Sequence, residues 1–546
     1  MLKRVFLIFL FSGISLVSNA QIGTYRYLIQ FKDKSNSPFS IQNPSAFVTQ
    51  KSIDRRKKNN VSFIEQDLPV NNSYIKEISA LGVKIIYPLK WINSVLIQTS
   101  PDKIKTILGN KNVKGMYFPY ALDSLTAKSG NKTTGPKNPI LNSSLADISY
   151  GNSLTQNTQL GTDKMHASGI TGKNTLITLL DEGFLNANVV TYLQNVRDQN
   201  RIIATLCTSP NRTSVYNEGS HGTNVMSTIA AYVPDKLIGT AFNANFALAQ
   251  TEEGLTEFPV EEVNWLRGAE WADSLGTDII SSSLGYSTFD NSFYSHTYNN
   301  LDGKTVLSTL AANWATERGI ICVISAGNEG AKVWKYISSP GDALDILAVG
   351  AVDSKGAKAS FSSFGPSFDQ RIKPDVSAMG QATVLGSISS SITTGNGTSF
   401  SAPLISGLTA GLIEKFPNKT AKQIMTGIRK SGTLSSNPDN NLGYGIPNYE
   451  RALSIIDPIL STEPKSLGGI VIYPNPIYIG QKLHLQRDES TKVEVKLLNS
   501  LGQEILQFDW ESNFKEIYLG PIQTGKYNFR FTSDLYQKVL PIYFTN

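Results

Sequence analysis

The spacing of hydrophobic and polar residues changes several times along this chain, and each change marks a different kind of structure. From about residue 22 to residue 120, short strand-like runs are mixed with helix-like runs. The pattern predicts strands at 25–31, 83–87, 94–99 and 113–118. It predicts helices at 46–58, 72–81 and 101–108. Together these elements predict a small α+β unit built on an antiparallel sheet.

Between residues 145 and 457 the pattern changes to apolar strand-like runs that alternate with helix-like stretches. The strand-like runs lie at 175–180, 246–250, 278–281, 320–324 and 346–349. The helix-like stretches include 221–232, 260–274, 305–317 and 402–416. Such alternation is typical of a parallel sheet that is covered by helices. The sequence therefore predicts an α/β domain at 145–457.

Two polar stretches and a third domain complete the predicted organisation. Residues 121–144 are rich in Ser, Asn, Lys, Gly and Thr and have little apolar periodicity, which indicates an exposed linker. A shorter break at 458–468 indicates a second linker. Residues 469–546 return to short strands separated by Gly, Asn and Pro turns, a pattern typical of a small β-sandwich.

The first twenty residues have the features of a secretory signal peptide. A positively charged start is followed by an apolar run at 5–17, and Ser18 and Ala20 supply small residues at the two positions that a signal peptidase reads. The alternative is a membrane anchor, but the run is shorter than the ~20 residues that a span needs. We therefore expect residues 1–20 to be removed before Gln21 and the protein to be exported in soluble form.

Composition and charge exclude other classes of protein. With 40% hydrophobic and 17% charged residues, the chain has enough apolar content for sizeable cores and is not a disordered protein. The net charge of +6 is spread over 546 residues, which is too dilute to indicate nucleic-acid binding. The densest basic run is Arg55-Arg56-Lys57-Lys58, and we interpret it as a solvent-facing helix surface.

The cysteine and histidine residues indicate neither a disulfide framework nor a metal site. Two cysteines, Cys207 and Cys322, are too few for a disulfide scaffold, although export would allow them to pair. Cys322 lies in an apolar run, which favours a buried free thiol. The four histidines are far apart in the sequence and no Cys-x-x-Cys pair exists, so zinc binding is not predicted.

Four polar residues follow apolar strands or begin helices in a way that suits catalysis. Asp181 ends an apolar strand, and ligands of open α/β folds bind at that edge of the sheet. His221 begins a helix, where the dipole favours the neutral imidazole that a general base requires. Ser399 precedes a helix whose free N–H groups can bind an oxyanion, and Asn328 follows a buried strand and can donate a side-chain N–H. Each residue also has an ordinary alternative, namely a helix cap, a surface histidine, an N-cap and a turn residue.

Taken together, the segments around these four residues resemble the sequence signatures of the subtilisin-like serine peptidases. The matching segments are Asp181 with Gly183, 221–223, 326–330 and 397–403, and the order Asp, His, Ser is that of subtilisin. The resemblance covers about residues 145–457. It implies the α/β fold of that family, with a parallel sheet and helices on both faces. It also implies a secreted serine endopeptidase that hydrolyses peptide bonds of proteins.

The resemblance implies a role for each residue. Ser399 is the implied nucleophile that forms an acyl-enzyme, His221 takes its proton, and Asp181 orients the imidazole. Asn328 and the backbone N–H of Ser399 form the implied oxyanion hole. This chemistry requires no cofactor. Bound calcium is common in the family, but no loop of this sequence lets us place a structural calcium site, and no metal-binding residue is predicted.

Residues 281–285 resemble the family strand whose backbone pairs with the substrate and lines the first specificity pocket. The implied substrate-binding residues are Ser283, Leu284, Gly285, Gly327 and Glu329. Because Glu329 matches a position beside that pocket, we expect it to tolerate basic or polar side chains. Proteins or peptides are the implied substrates.

One position departs from the family pattern. The family usually has a small or hydroxyl-bearing residue after the triad aspartate, whereas this chain has Glu182. A second carboxylate that pointed inward would repel Asp181. We therefore expect Glu182 to point outward or to meet a cation.

The flanking domains carry resemblances of their own. Residues 21–120 resemble the inhibitor-type propeptides of these enzymes, which implies that this domain blocks the cleft of its own catalytic domain until it is cut. Residues 469–546, with Tyr-Pro-Asn-Pro at 473–476 and Gly-Lys-Tyr at 525–527, resemble the C-terminal sorting domains of Bacteroidetes type IX secretion. That resemblance implies outer-membrane secretion machinery as a partner. The implied location is outside the cell or on its surface, reached through the periplasm.

Two alternatives belong to other classes. A lipase or esterase of the α/β-hydrolase type would need Gly-x-Ser-x-Gly, followed by Asp and His. Ser401 stands where the second glycine belongs, and only His484 follows Ser399. The other alternative is a catalytically weak or inactive surface protein on a peptidase scaffold, which labelling by a fluorophosphonate probe distinguishes from an active enzyme.

Overall fold

A computed structural model describes residues 23–123, 148–254, 256–457, 470–487, 492–500, 502–533 and 536–545. The predicted signal peptide at 1–20, most of the linker at 121–144 and the linker at 458–468 lie outside these residues. The chain divides into two compact units, Met1–Tyr449 and Glu450–Asn546. Among the described helices, none combines the length and the apolar character that a membrane span requires.

The first unit begins with the predicted α+β part. Its strands are β1 (Tyr25–Phe31), β2 (Lys84–Leu89), β3 (Ser94–Thr99) and β4 (Val113–Met116), and its helices are α1 (Gln50–Lys58), α2 (Asn72–Ser79) and α3 (Ile104–Leu108). The strands pair antiparallel, as the sequence predicts, and they lie in the order β2-β3-β1-β4. Helix α1 starts later than predicted because the Thr49 side chain accepts a hydrogen bond from the Ser52 N–H and caps it.

A parallel sheet forms the centre of the first unit. The strands of residues 148–457 are β5 (Leu176–Asp181), β6 (Ile202–Cys207), β7 (Tyr232–Val233), β8 (Leu237–Ile238), β9 (Asn245–Gln250), β10 (Ile279–Ser282), β11 (Ile321–Ser325), β12 (Leu347–Val352), β13 (Val376–Met379), β14 (Thr383–Gly386) and β15 (Ile392–Gly395). Seven of them form one all-parallel sheet in the order β13-β12-β11-β10-β5-β9-β6. The predicted parallel sheet is therefore confirmed. Strand β5 lies within it and is buried along its whole length, which fixes the position of the residue that ends it.

Helices cover both faces of this sheet. The helices of residues 148–457 are α4 (Leu154–Leu160), α5 (Thr162–Ala167), α6 (Gln194–Asp198), α7 (His221–Ala230), α8 (Val260–Leu275), α9 (Leu307–Glu317), α10 (Thr398–Lys415), α11 (Ala421–Lys430) and, across the boundary of the two units, α12 (Tyr449–Ile456). On β10, the Ser281 hydroxyl accepts a hydrogen bond from Ser406 of α10, and the Ser282 hydroxyl accepts one from the Trp265 indole of α8. Successive side chains of a strand point to opposite faces. Helices α10 and α8 therefore lie on opposite faces.

The second unit contains a small β-sandwich, as predicted. Its strands are β16 (Val471–Tyr473), β17 (Ile477–Tyr478), β18 (Lys482–Gln486), β19 (Val493–Leu498), β20 (Glu504–Trp510), β21 (Phe514–Tyr518), β22 (Gly525–Ser533) and β23 (Tyr536–Thr545). They form a sheet in the order β16-β18-β21 and another in the order β17-β23-β22-β19-β20. Leu485 and Ile517 of the first sheet share one hydrophobic core with Val495 and Phe529 of the second. The two sheets therefore pack face to face around that core.

Two expectations about polar residues have different outcomes. The interpretation of Arg55–Lys58 as a solvent-facing surface is wrong for its first half, because Arg55 and Arg56 are 3% and 1% exposed. Their helix face packs against the α/β part of the same unit, where the Asp273 carboxylate receives both guanidinium groups. Cys207 and Cys322 are free thiols, and Cys322 is buried in β11 as predicted.

Candidate active site

Three of the candidate residues lie where strands end and helices begin at one edge of the sheet. Asp181 is the last residue of β5, His221 is the first residue of α7, and Ser399 lies in the first turn of α10. Helix α10 begins at Thr398, earlier than the predicted start at 402, so Ser399 is inside the helix. The N–H groups of a first turn have no acceptor within the helix and are free to bind an anion.

The Asp181 carboxylate and the His221 imidazole form a hydrogen bond of 2.8 Å between Asp181 Oδ1 and His221 Nδ1. The same carboxylate oxygen accepts the backbone N–H of Glu182 at 2.9 Å. The side chain of Asp181 is 1% exposed, whereas that of His221 is 30% exposed. No hydrogen bond occupies His221 Nε2 within the described residues. The carboxylate therefore fixes the imidazole from its buried side and leaves the second ring nitrogen available.

Two loops pack backbone to backbone to hold this pair. Gly183 follows β5 with a φ of +153°, and a Cβ added there would lie 2.1 Å from the Glu218 carbonyl oxygen. A Cβ added at Gly219, whose φ is +71°, would lie 2.7 Å from the Glu182 backbone. Any side chain at either position would push the loops apart, so both contacts need glycine. The glycines thus fix the spacing between the loops that carry the carboxylate and the imidazole.

The pKa of the His221 imidazole is set by burial and by the carboxylates around it. Burial lowers this pKa because it disfavours the cation. Asp181 opposes burial through its charge and its hydrogen bond, and Glu182 and Glu252 add further negative charge. The net result raises the pKa of His221 to about 9. The imidazole therefore binds a proton tightly and is neutral only in alkaline solution.

The Ser399 side chain exchanges hydrogen bonds with Ser283. The Ser399 hydroxyl donates to the Ser283 carbonyl oxygen at 3.4 Å, and the Ser283 hydroxyl donates to the Ser399 carbonyl oxygen at 2.9 Å. Pro403 explains the second bond, because it has no N–H to give to the carbonyl of the residue four positions earlier, which is Ser399. Among the described residues, no hydrogen bond joins Ser399 to His221. Contact with the imidazole therefore requires the hydroxyl to leave Ser283.

The Asn328 carboxamide has a fixed orientation. Its Oδ1 accepts the backbone N–H of Thr398 at 2.9 Å and the Thr398 hydroxyl at 3.1 Å. Because donors occupy the oxygen, the Nδ2 amino group is the end that is free to donate. A Cβ added at Gly397 would lie 3.7 Å from this Nδ2. The free donor therefore lies beside the turn that leads into Ser399.

A cavity of about 400 Å³ adjoins Ser399. All five predicted substrate-binding residues line it, namely Ser283, Leu284, Gly285, Gly327 and Glu329. Asn328, Glu257 and Asp290 line it as well. Glu329 pairs with the exposed Lys332 at 2.9 Å, which offsets part of its charge. The described lining contains three carboxylates and no lysine or arginine, so the cavity is acidic.

A second cavity, of about 620 Å³, adjoins His221. Carboxylates dominate its lining, which includes Glu182, Glu252, Glu257, Glu261 and Asp290. Oxygen atoms of three of them, Glu252, Glu257 and Glu261, all lie within 4.8 Å of one another. Burial and the neighbouring carboxylates raise the pKa of each of these three glutamates. The groove on both sides of the candidate residues is therefore rich in carboxyl groups.

Glu182 does not point outward, so one of the two expectations for it is wrong. Its Oε1 accepts the backbone N–H of His221 at 2.9 Å. That N–H belongs to the first turn of α7 and has no acceptor within the helix, so a carboxylate is a favourable partner for it. The side chain therefore lies beside the imidazole and lines the second cavity.

Some residues that shape the site were not predicted from the sequence. Thr398 orients the amide of Asn328, and its only sequence signal was its place next to Ser399. Arg212 donates at 2.8–3.5 Å to backbone carbonyl oxygens of the loops after β5 and β9. Glu257 and Asp290 come from loops that match no motif. Only the folding of those loops brings their carboxyl groups to the groove.

Buried ion pairs connect the N-terminal α+β part to the α/β part. They join Arg55, Arg56 and Lys90 to Asp273 at 2.5, 3.0 and 3.0 Å, and Asp67 to Arg318 at 2.7 Å. Asp273 lies on α8 and its side chain is 0% exposed. The N-terminal part therefore places three cations around one buried carboxylate of the other part.

The described N-terminal part ends close to the groove. The last described residue of this part is Asp123, and it binds Arg26 of β1. Arg26 also binds Glu253 at 2.7 Å. Glu253 directly precedes Gly254, which lines the second cavity. Asp123 therefore lies near the loop that lines the second cavity.

Comparison with known protein families matches these two parts of the chain. Residues 172–445 match the Subtilase family, and residues 26–136 match the peptidase S8 propeptide domain of Bacteroidota. The first match contains all four candidate residues, and the second covers the α+β part. The two matches identify a catalytic domain and a propeptide domain in one chain.

Curated proteins of similar sequence include several subtilisins. Subtilisin NAT of Bacillus subtilis subsp. natto is 30% identical over 297 residues, which are 54% of this chain and 69% of that protein. Subtilisin of Bacillus pumilus is 30% identical over 297 residues, which are 54% of this chain and 96% of that protein. Subtilisin Savinase of Lederbergia lenta is 29% identical over 290 residues, which are 53% of this chain and 93% of that protein.

Proposed function

The chain belongs to the subtilase family and is a serine endopeptidase with an inhibitory propeptide domain, and on that premise we propose that Asp181, His221 and Ser399 are its catalytic triad. The observation that carries this assignment is the hydrogen bond of 2.8 Å between the buried Asp181 carboxylate and His221 Nδ1. That bond selects the tautomer in which Nε2 is free to take a proton. Ser399 supplies the nucleophile from the first turn of α10.

In the proposed reaction, the Ser399 hydroxyl leaves the Ser283 carbonyl and gives its proton to His221 Nε2. Its oxygen attacks the carbonyl carbon of the substrate, and the resulting imidazolium is stabilised by Asp181. His221 then protonates the leaving amine, and an acyl-enzyme remains on Ser399. Water completes the hydrolysis with His221 again as the base. The proposed chemistry uses no cofactor.

We propose that Asn328 Nδ2 and the Ser399 backbone N–H stabilise the oxyanion. The Asn328→Ala variant is then expected to lose about 10²–10³-fold in kcat, the range that subtilisin shows for its own oxyanion-hole asparagine, with little change in KM. Steady-state hydrolysis of a peptide substrate measures the effect. Asn188→Ala, at an exposed position, is the matched control and should keep full activity. A kcat for Asn328→Ala within about threefold of the unmodified protein would contradict this role.

We propose that the first pocket, beside Ser399, takes basic or polar side chains. Glu257, Asp290 and Glu329 line it, and its described lining has no lysine or arginine to offset them. A lysine or arginine side chain can pair with such carboxylates, whereas an acidic side chain would be repelled. Lys332 already pairs with Glu329, and burial raises the pKa of Glu257 to about 7. Glu329 and Glu257 therefore contribute less to the attraction near neutral pH than Asp290 does.

Digestion of a proteome-derived peptide library tests both the activity and this preference. The matured protein is expected to cut many peptides, with lysine, arginine and polar residues enriched just before the cut and aspartate and glutamate depleted. A fluorophosphonate probe should label Ser399 and stop all cleavage. A protein that neither cuts the library nor reacts with the probe would support the inactive-scaffold alternative. Cleavage with no bias against acidic residues would contradict only the proposed pocket chemistry.

We propose that the chain is exported and sorted by its terminal segments. The N-terminal features at 1–20 support export through a signal peptide, and the resemblance of 469–546 supports passage through the type IX machinery of the outer membrane. The second unit has its own hydrophobic core, which suits an independently folded sorting domain. The mass and N-terminal sequence of the exported protein report which segments remain on it.

A further inference from the structure

Glu182 touches both members of the Asp-His pair. Its backbone N–H donates to Asp181 Oδ1 at 2.9 Å, and its side-chain Oε1 accepts the backbone N–H of His221 at 2.9 Å. A small side chain could not reach the first turn of α7 in the same way, so this contact depends on the length and the carboxylate of Glu182.

The surroundings of His221 contain acidic groups from several elements. Asp181 and Glu182 approach it from the end of β5, and Glu252 acts on it from the loop after β9. Helix α10 presents the uncharged ring of Phe400, whose centroid is 5.9 Å from that of the imidazole. The adjoining cavity adds further carboxyl groups, those of Glu257, Glu261 and Asp290. The described lining of that cavity has no lysine or arginine to counter them, and the nearby Arg212 is engaged by backbone carbonyls and Glu218.

We propose that Glu182 is a positioning residue for peptide hydrolysis, one that holds His221 through its backbone N–H and adds negative charge that favours the imidazolium of the transition state. The proposal rests on the proposed triad. The hydrogen bond fixes the start of α7, which carries the imidazole toward Asp181. The charge acts on the same ring, because the imidazole becomes a cation in each proton transfer.

This arrangement sets the pH range of the enzyme. Asp181 makes the larger contribution to the raised pKa of His221 and Glu182 adds to it, so the neutral base is scarce near pH 7 and abundant only in alkaline solution. The base that does form is stronger, which favours proton transfer. The Glu182 carboxylate therefore lowers the peptidase activity at neutral pH and raises the maximal activity that is reached at alkaline pH.

The Glu182→Gln variant separates the charge from the hydrogen bond, because the glutamine side-chain oxygen can still accept the His221 N–H. We expect the acidic limb of the kcat/KM profile to move to lower pH by about 0.5–1 unit. Activity at pH 7 should rise by about two- to threefold, and the alkaline plateau should fall by a similar factor. The measurement uses matured protein and a peptide substrate without ionisable side chains, so that only the enzyme titrates.

Glu218→Gln is the matched control. It makes the same substitution in the loop before His221, but the Glu218 side chain is 53% exposed and pairs with Arg212 at 2.8 Å. Solvent screens such a charge. The acidic limb of the kcat/KM profile of Glu218→Gln should therefore lie within about 0.2 pH unit of the limb of the unmodified protein. An unmoved limb in Glu182→Gln, or an equal loss of activity at every pH, would overturn the proposal.

A second measurement does not depend on activity or maturation. In the inert Ser399→Ala chain, the His221 pKa is read by NMR titration of its ring signals with and without Glu182→Gln. Glu182→Gln is expected to lower the His221 pKa. Equal titration curves with and without this substitution would overturn the proposal. Glu182→Ser, which removes the carboxylate, should lower the His221 pKa as well. Absence of peptidase activity in the unmodified, matured protein would instead contradict the triad, so the two failures are distinguishable.

Discussion

Replacing Ser399 with alanine is expected to abolish peptidase activity and to leave the chain unprocessed. Ser399→Ala removes the hydroxyl oxygen that forms the acyl-enzyme in the proposed reaction, while Asn328 and the rest of the groove remain. The expected loss in kcat is about 10⁴–10⁶-fold, in line with the loss that subtilisin shows when its nucleophile is removed. Peptide hydrolysis measures the first effect, and gel mobility with N-terminal sequencing measures the second.

Ser401→Ala provides the control for this variant. Ser401 lies in the same turn of α10, is buried, and donates its hydroxyl to the Thr398 carbonyl at 3.0 Å, so the same change is made without touching the nucleophile. It should mature and keep activity within about tenfold of the unmodified protein. Normal turnover by purified Ser399→Ala protein would refute the nucleophile assignment. Normal maturation of that variant by itself would show only that another peptidase makes the cut.

Replacing Arg55 with alanine is expected to loosen the propeptide domain from the catalytic domain. Arg55→Ala removes a buried guanidinium that binds Asp273 at 2.5 Å and donates to the Thr277 and Arg318 carbonyl oxygens. Breaking a buried pair from one side costs about 3–5 kcal/mol. In the Ser399→Ala background, which keeps the two domains in one chain, amide hydrogen exchange of β1 and β3 should accelerate by about 10²–10³-fold.

Lys51→Ala is the matched control on the same helix. Lys51 also reaches the catalytic domain, by an ion pair of 2.8 Å with Asp278, but its side chain is 38% exposed. Exposed pairs contribute about 0–1 kcal/mol, so exchange should accelerate by less than about fivefold. Equal acceleration in both variants would show that the buried network does not hold the propeptide domain more firmly than a surface pair.

The same network predicts that mild acid does not release the propeptide domain. Burial raises the pKa of the Asp273 carboxyl, but Lys90, Arg55 and Arg56 outweigh burial and hold it well below its usual range. A lowered carboxyl pKa stabilises the bound state above the ordinary value near 4, and that stabilisation is lost only as pH falls through the lowered value. Exchange in β1 and β3, corrected for intrinsic pH dependence, should therefore be no faster at pH 5 than at pH 8.

The sequence alone determined the fold class and the identity of the candidate residues. A strand of a parallel sheet is buried on both faces and therefore needs a continuous run of apolar residues, such as that of β5. Such a run is visible in the local sequence. The spacing of glycines around Asp181, His221 and Ser399 is local as well, because each loop must bring its backbone close to another. Such short-range patterns are sufficient to predict which residues lie at the edge of the sheet.

Only the tertiary structure decided what those residues contact. The basic run that begins at Arg55 predicts a solvent-facing surface when only the adjacent residues are considered. In the structure Arg55 is buried, because Asp273, more than 200 positions away, supplies the opposite charge. From the sequence, the Glu182 carboxylate is expected to repel that of Asp181. In the structure it instead accepts a hydrogen bond from the His221 N–H in the first turn of α7. Contacts of this kind depend on where distant backbone groups lie, and no local pattern of side chains encodes that.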